Sequence, residues 1–174
     1  MQTRLIARLA IVSVGLLAGC ASPAPPEPVA IAYVEPEPDV TITAQPKDQA
    51  ELECLAKTIY FEARGESEQG QRAVAAVVLN RVKSPNFPDS ICEVVHQGGT
   101  EGRDCQFSWY CDRLSDEPKD VNAWIKAATI AREMIHGAPD PTKGALYFHT
   151  TGVSPSWRTQ LRRVATIGAH IYYR

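Results

Sequence analysis

From Lys47 onward the apolar positions follow two patterns. They recur every three or four residues through most of the chain, then gather into short aromatic and β-branched blocks near the C-terminus. Asp48 to Ala63 reads as a helix that ends near Gly65, since glycine is a natural helix stop. At about 100° per residue, Leu52, Leu55, Ile59 and Glu62 share one face, and Arg64 points the opposite way. Ser67 can cap a second helix with Glu68 in its first turn, running to about Val82. Its apolar run from Ala73 to Leu79 implies burial on most sides. Composition alone also allows a buried strand there, but the length and the capping signal favour a helix. Pro85 and Pro88 break the chain, Ser90 to Gln97 can form a short helix, and Gly98 to Ser108 is a polar loop. Pro118 suits the first turn of another helix, in which Val121, Trp124, Ile125, Ala128 and Ile135 repeat at helical spacing. Gly137 and Pro139 stop it. Ala145 to His149, Arg163 to Ile167 and Ile171 to Tyr173 read as strands. Helices followed by strands predict an α+β domain, mainly helical with a short antiparallel sheet near the C-terminus.

Glu62 is the anomaly in this pattern. A lone carboxylate on an apolar stripe loses hydration when charged, so its pKa rises and it can hold a proton near neutral pH. A general acid that protonates a leaving oxygen needs that property. The ordinary alternative is a glutamate that reaches out to solvent or pairs with a cation such as Arg81.

The first residues change the picture of where the chain works. Arg4 and Arg8 precede a short apolar run, Leu9 to Leu17, too short to span a bilayer comfortably. Leu17-Ala18-Gly19-Cys20 resembles a bacterial lipobox, in which the cysteine becomes lipidated and begins the mature chain. The competing reading is an ordinary signal peptide with Cys20 incidental. Ala21 after the cysteine suggests, by resemblance, sorting to the outer membrane facing the periplasm. Residues 1–19 are thus expected to be a lipoprotein signal peptide and 20–46 a tether holding seven of the 13 prolines. Such a tether would reach up to roughly 80 Å if polyproline-like throughout. Residues 47–174 are one domain's worth of chain. The full sequence has 18 basic and 20 acidic residues, and loss of residues 1–19 removes two arginines, leaving 16 against 20, a charge of −4. No basic patch argues for nucleic acid.

Four cysteines follow Cys20: Cys54, Cys92, Cys105 and Cys111. An even number in an exported domain argues for two disulfides. Three pairings are possible and sequence cannot choose; Cys54 with Cys92 and Cys105 with Cys111 is the working expectation. A zinc site competes weakly, for no close Cys-x-x-Cys or Cys/His pair has metal-ligand spacing. No metal or other cofactor is expected.

Tyr60-Phe61-Glu62-Ala63-Arg64-Gly65-Glu66, Gly70-Gln71, Ala73-Val74-Ala75 and Asn80-Arg81-Val82 resemble the spore cortex-lytic, cell wall hydrolase family. So do Ile91 to Val95, Cys105-Gln106-Phe107-Ser108 with Cys111-Asp112, and Ile167-Gly168-Ala169-His170. The resemblance covers about Glu53 to Tyr173. The lipobox, tether and cysteines look like a Gram-negative exported branch. The resemblance implies a small lysozyme-like α+β domain and a peptidoglycan glycosidase that cleaves between N-acetylmuramic acid and N-acetylglucosamine. Some members act as lytic transglycosylases. The family's catalytic glutamate maps onto Glu62.

In the expected reaction, protonated Glu62 donates to the glycosidic oxygen as an oxocarbenium-like sugar develops. If Glu62 then takes the proton of the muramyl 6-hydroxyl, an anhydro ring closes; if water attacks, the enzyme is a hydrolase. A two-carboxylate mechanism would need Glu66, Asp104 or Asp112 as partner. Glu66 otherwise reads as a helix-end acid bound to an arginine. Gln71, Phe107, Ser108, Tyr147 and His149 are candidate substrate-binding residues. Gln71 is as readily a core amide bonded to backbone, Phe107 and Ser108 a loop anchor, and His149 a structural histidine. Tyr147 and His149 alternate onto one side of their strand. Trp157 either stacks on a sugar or fills the core, and Trp124 reads as core. Two other functions compete with the glycosidase: a peptidoglycan amidase or peptidase, and a non-catalytic peptidoglycan-binding lipoprotein. The expected partners are peptidoglycan glycan strands and, through lipid on Cys20, a membrane.

Overall fold

The computed structural model describes residues 46–98 and 105–174. The leader, Cys20, tether residues 21–45 and Asp104 lie outside the described residues, and Pro46, given to the tether above, is the first residue of the first helix.

Four α-helices carry the core: α1 (Pro46–Ala63), α2 (Glu68–Val82), α3 (Ile91–Val95) and α4 (Val121–Ile135). Short 3-10 turns stand at Ser108–Cys111 and Ser156–Thr159. Three strands follow, β1 (Tyr147–Thr150), β2 (Arg163–Ile167) and β3 (His170–Tyr173), in the antiparallel order β1-β3-β2. This is the α+β, mainly helical architecture expected.

The caps show why the helices start where they do. Ser67 accepts the Gly70 N–H at 3.2 Å, and Ser90 accepts that of Glu93 at 3.3 Å. Asp120 caps α4 through the Ala123 N–H at 3.0 Å, so that helix begins after Pro118-Lys119 instead of at the proline. Helix α1 ends at Ala63, short of Gly65. Gly65 has neither a positive φ nor crowding around its α-carbon, so nothing in the turn demands glycine there.

Leu55, Ile59, Val78, Val94, Val95, Phe107 and Ile130 form the centre of the helical core. The α1 stripe read from the sequence is therefore real, with Leu55 and Ile59 fully buried and Leu52 packed at the edge. The α4 stripe needs correction. Its buried residues are Ala127, Ile130, Ala131 and Met134, while Val121 and Ile125 are exposed. Small alanines let α4 approach its neighbours, and the larger Val121 and Ile125 point outward. Trp124 is half-buried against the core.

Cys54–Cys92 joins α1 to α3, with Cα atoms 5.3 Å apart, and Cys105–Cys111 closes the second expected disulfide. The four sulfurs are thereby paired as the two expected disulfides. Among the described residues no cluster of His, Cys, Asp or Glu could hold a metal ion. No helix among them is long and apolar enough to cross a membrane.

Register divides the sheet into two faces. Tyr147 pairs with Tyr173 and Phe148 with Tyr172, so alternation puts Tyr147, His149 and Tyr173 on one face and Phe148, Tyr172 and His170 on the other. The second face packs on α2, where Ala73 and Val77 meet Tyr172.

Candidate active site

Glu62 is the penultimate residue of α1. Burial raises its carboxyl from the ordinary 4.5 to about 7. The last turn of α1 holds no basic residue that would offset this. Among the described residues none bonds to or pairs with Glu62.

Its neighbour in the motif behaves differently. Glu66 leaves α1 and reaches the turn between β2 and β3, where the Ala169 N–H donates to its two oxygens at 3.2 and 3.3 Å. His170 Nδ1 lies 3.7 Å from the same carboxylate. Burial lowers the His170 pKa, and Glu66 opposes that fall. Gly168 stands at φ +56°, and a Cβ there would come 1.8 Å from Glu66 Oε2. A Cβ at Gly70 would lie 2.8 Å from the Glu66 Cβ. Glu66 thus fits between two glycines and clamps the end of the helical unit to the sheet. Its hydrogen-bond partner is a backbone amide, with the His170 ring nearby, and not the arginine expected.

Asn80 and Arg81 also have structural partners. Asn80 donates to the Ala145 carbonyl at 3.1 Å and to Asp140 at 3.0 Å. Arg81 is buried and donates through Nε to the Leu146 carbonyl at 2.7 Å. Its guanidinium lies 5.1 to 5.8 Å from the ring centres of Phe87, Phe107 and Tyr147. With the Gln106 amide oxygen turned toward it, both Nη atoms donate at 3.1 and 3.2 Å. Burial lowers its pKa to about 10. The suggested Arg81–Glu62 pair is absent among the described residues.

Of the five candidate substrate residues, Phe107 and Tyr147 both lie against Arg81, and Tyr147 and His149 both pack on Trp157. Gln71 is buried; its amide donates to the Glu66 carbonyl at 3.2 Å, and Oε1 has no partner among the described residues. Phe107 is part of the core. Ser108 is exposed at the start of a 3-10 turn. Tyr147 is half-buried between Phe87 and Trp157. His149 is buried, with Nδ1 2.8 Å from the Thr150 carbonyl and Nε2 3.0 Å from the Tyr173 hydroxyl. A carbonyl only accepts, so Nδ1 carries the proton and Nε2 accepts from Tyr173. Trp157 packs against Tyr147, His149 and Tyr173 and completes an aromatic cluster on that face of the sheet. None of the five bonds to Glu62 among the described residues.

Sequence reasoning overlooked a cleft beside the end of α1. It has a volume of about 390 Å³, and Tyr60, Phe61 and Trp109 line it with Arg64 and Lys119. Phe61 and Trp109 stack with ring centres 5.0 Å apart. The Tyr60 hydroxyl accepts from the Lys119 and Asp120 backbone N–H groups at 3.1 and 3.0 Å and from Arg64 Nη1 at 3.3 Å. The available signal was the aromatic pair Tyr60-Phe61 beside Trp109-Tyr110, read as motif and not as surface.

The chain is a small α+β domain in which one motif carboxyl, Glu62, has no partner among the described residues and a pKa raised to about 7. The chain belongs to the cell wall hydrolase family, whose pattern matches residues 65–173, beginning just after Glu62. It is 32% identical over 128 residues to the spore cortex-lytic enzyme of Oceanobacillus iheyensis, covering 71% of this chain and 41% of that protein. Against the Bacillus subtilis spore cortex-lytic enzyme it is 34% identical over 125 residues, covering 70% and 37%. The chain spans about two fifths of the length of these curated relatives. Its fold matches the catalytic domain of the Bacillus cereus SleB protein with a TM-score of 0.56 at 29% identity, covering 75% of this chain and 94% of that one. The catalytic domain of the germination-specific lytic transglycosylase SleB from Bacillus anthracis matches with a TM-score of 0.58 at 29% identity, covering 75% and 99%.

Proposed function

We propose that this protein is a peptidoglycan glycosidase that cleaves the bond between N-acetylmuramic acid and N-acetylglucosamine, with Glu62 as general acid and base. One observation carries the reading. Glu66, Asn80 and Arg81 of the family motif are occupied by structural bonds, whereas Glu62 has no partner among the described residues and a pKa near 7.

Protonated Glu62 donates to the glycosidic oxygen, and the bond breaks with oxocarbenium character at the muramic acid. The resulting carboxylate then accepts the proton of the muramyl 6-hydroxyl as that oxygen closes an anhydro ring. This lytic transglycosylase course needs one carboxyl group. Glu66 accepts from the Ala169 N–H at the turn between β2 and β3, which argues against it as a second carboxylate. The likeness to a solved lytic transglycosylase domain supports the same course.

The lipobox-like Leu17-Ala18-Gly19-Cys20 supports a lipid anchor on Cys20, residues 1–19 as its signal and 20–46 as the tether of a 47–174 catalytic domain. The same residues support a location in the cell envelope, with outer-membrane sorting suggested by Ala21. Mass spectrometry of a peptidoglycan digest by the full-length protein tests the reaction. Fragments ending in 1,6-anhydromuramic acid are expected. Reducing muramic acid ends would make the enzyme a hydrolase, and released peptides without sugar cleavage would make it an amidase.

A further inference from the structure

We infer that the cleft beside α1 binds the peptide side chain of peptidoglycan while Glu62 acts on the adjoining glycan. This rests on the glycosidase reading and adds a second class of recognised group to it. The floor is the stacked Phe61–Trp109 pair, an apolar surface suited to methyl groups and short aliphatic chains. Around it stand charges of both signs: Arg64 and Lys119 against Asp112, Asp116 and Glu117. None of these five forms an ion pair with another described residue; four of them are exposed, Asp116 is half-buried, and Asp112 accepts only the Leu114 N–H. Arg64 gives one Nη to the Tyr60 hydroxyl, which leaves donors of its planar fork for a carboxylate. A ligand carrying carboxylates and an amine on a short chain satisfies both sets at once. The peptide of peptidoglycan has that chemistry, with several free carboxylates and, where uncrosslinked, a free amine. A neutral glycan strand offers no charge to either set.

Position supports the same occupant. Phe61 adjoins Glu62 in the last turn of α1, and Arg64 follows just beyond. Glu62 faces away from the cleft, but it lies at the last turn of α1, and an extended peptide of four residues, roughly 13 Å long, can pass over the helix terminus toward the cleft instead of around the helix.

The test is a calorimetric titration of the full-length protein with a synthetic tetrapeptide bearing two free carboxylates, one free amine and alanine at both ends. Saturable binding is expected, weakened tenfold or more by Lys119→Ala and by Asp116→Asn, with unchanged thermal midpoints. Cleavage of peptide-bearing strands by these variants should fall relative to peptide-free strands, through KM more than kcat. No saturable binding, or binding that both variants leave within twofold, overturns the proposal. Failure to cleave any glycan would remove the glycosidase reading instead, and the titration is read independently of it.

Discussion

The Glu66 carboxylate receives the backbone N–H of Ala169 from 103 residues away, at 3.2 and 3.3 Å from its two oxygens. This contact accounts for several motif positions together. Gly70 and Gly168 are glycine because Glu66 fills the space a Cβ would need, and Gly168 also takes a positive φ. His170 supplies the facing ring.

Glu66→Ala leaves the Ala169 N–H without its acceptor and loosens α1 from the sheet. We expect a loss of about 1–3 kcal/mol, read as a lower urea midpoint at unchanged slope. Gly168→Ala should cost at least as much, because the new methyl meets a carboxylate held on both sides. An unchanged midpoint in both variants would contradict the clamp.

The raised Glu62 pKa fixes a sign for pH dependence. If Glu62 is the general acid it must be protonated to act, so cleavage should fall as pH rises through about 7. Stability follows from linkage. The folded carboxyl keeps its proton to about 7 and the unfolded one to about 4.5, so this group's contribution is full below 4.5 and declines until about 7. Glu62→Gln removes that decline, and the variant should gain on the wild type by on the order of 2–3 kcal/mol between pH 4 and 8. Parallel stability curves for the two proteins would contradict it.

Much of this was legible in the sequence. Helical periodicity located α1, serines marked the starts of α2 and α3, and β-branched and aromatic blocks located the strands. The burial of Glu62 followed from its spacing to Leu55 and Ile59. The α4 face was misread because alanine, which ranks low in apolar size, forms most of its buried side. The roles of Glu66, Arg81 and His149 depend on contacts between distant segments, which no local pattern encodes. Phe107 and His149 are candidates because an aromatic ring and a polar group suit a sugar; that both are buried depends on packing between distant segments.

Arg81 supports the sheet through the Leu146 carbonyl and three rings. A lysine keeps the charge but loses the planar stacking and the forked donors. Arg81→Lys should therefore destabilise by about 2–3 kcal/mol in thermal unfolding. A midpoint within one degree of wild type would contradict the assigned role.

Cys54–Cys92 spans 38 residues and pins α3 to α1. Loop-closure entropy predicts a loss of about 4 kcal/mol for the paired Cys54→Ala, Cys92→Ala variant. A reductant should lower the wild-type thermal midpoint toward that of the variant and leave the variant itself less affected.

The most direct measurement is the initial rate of peptidoglycan cleavage by the wild type and by Glu62→Gln, with folding of both checked by circular dichroism. If Glu62 is the general acid, the variant loses a hundredfold or more in rate while still binding glycan. A folded variant that keeps a rate within a few-fold of wild type would place the catalytic acid elsewhere.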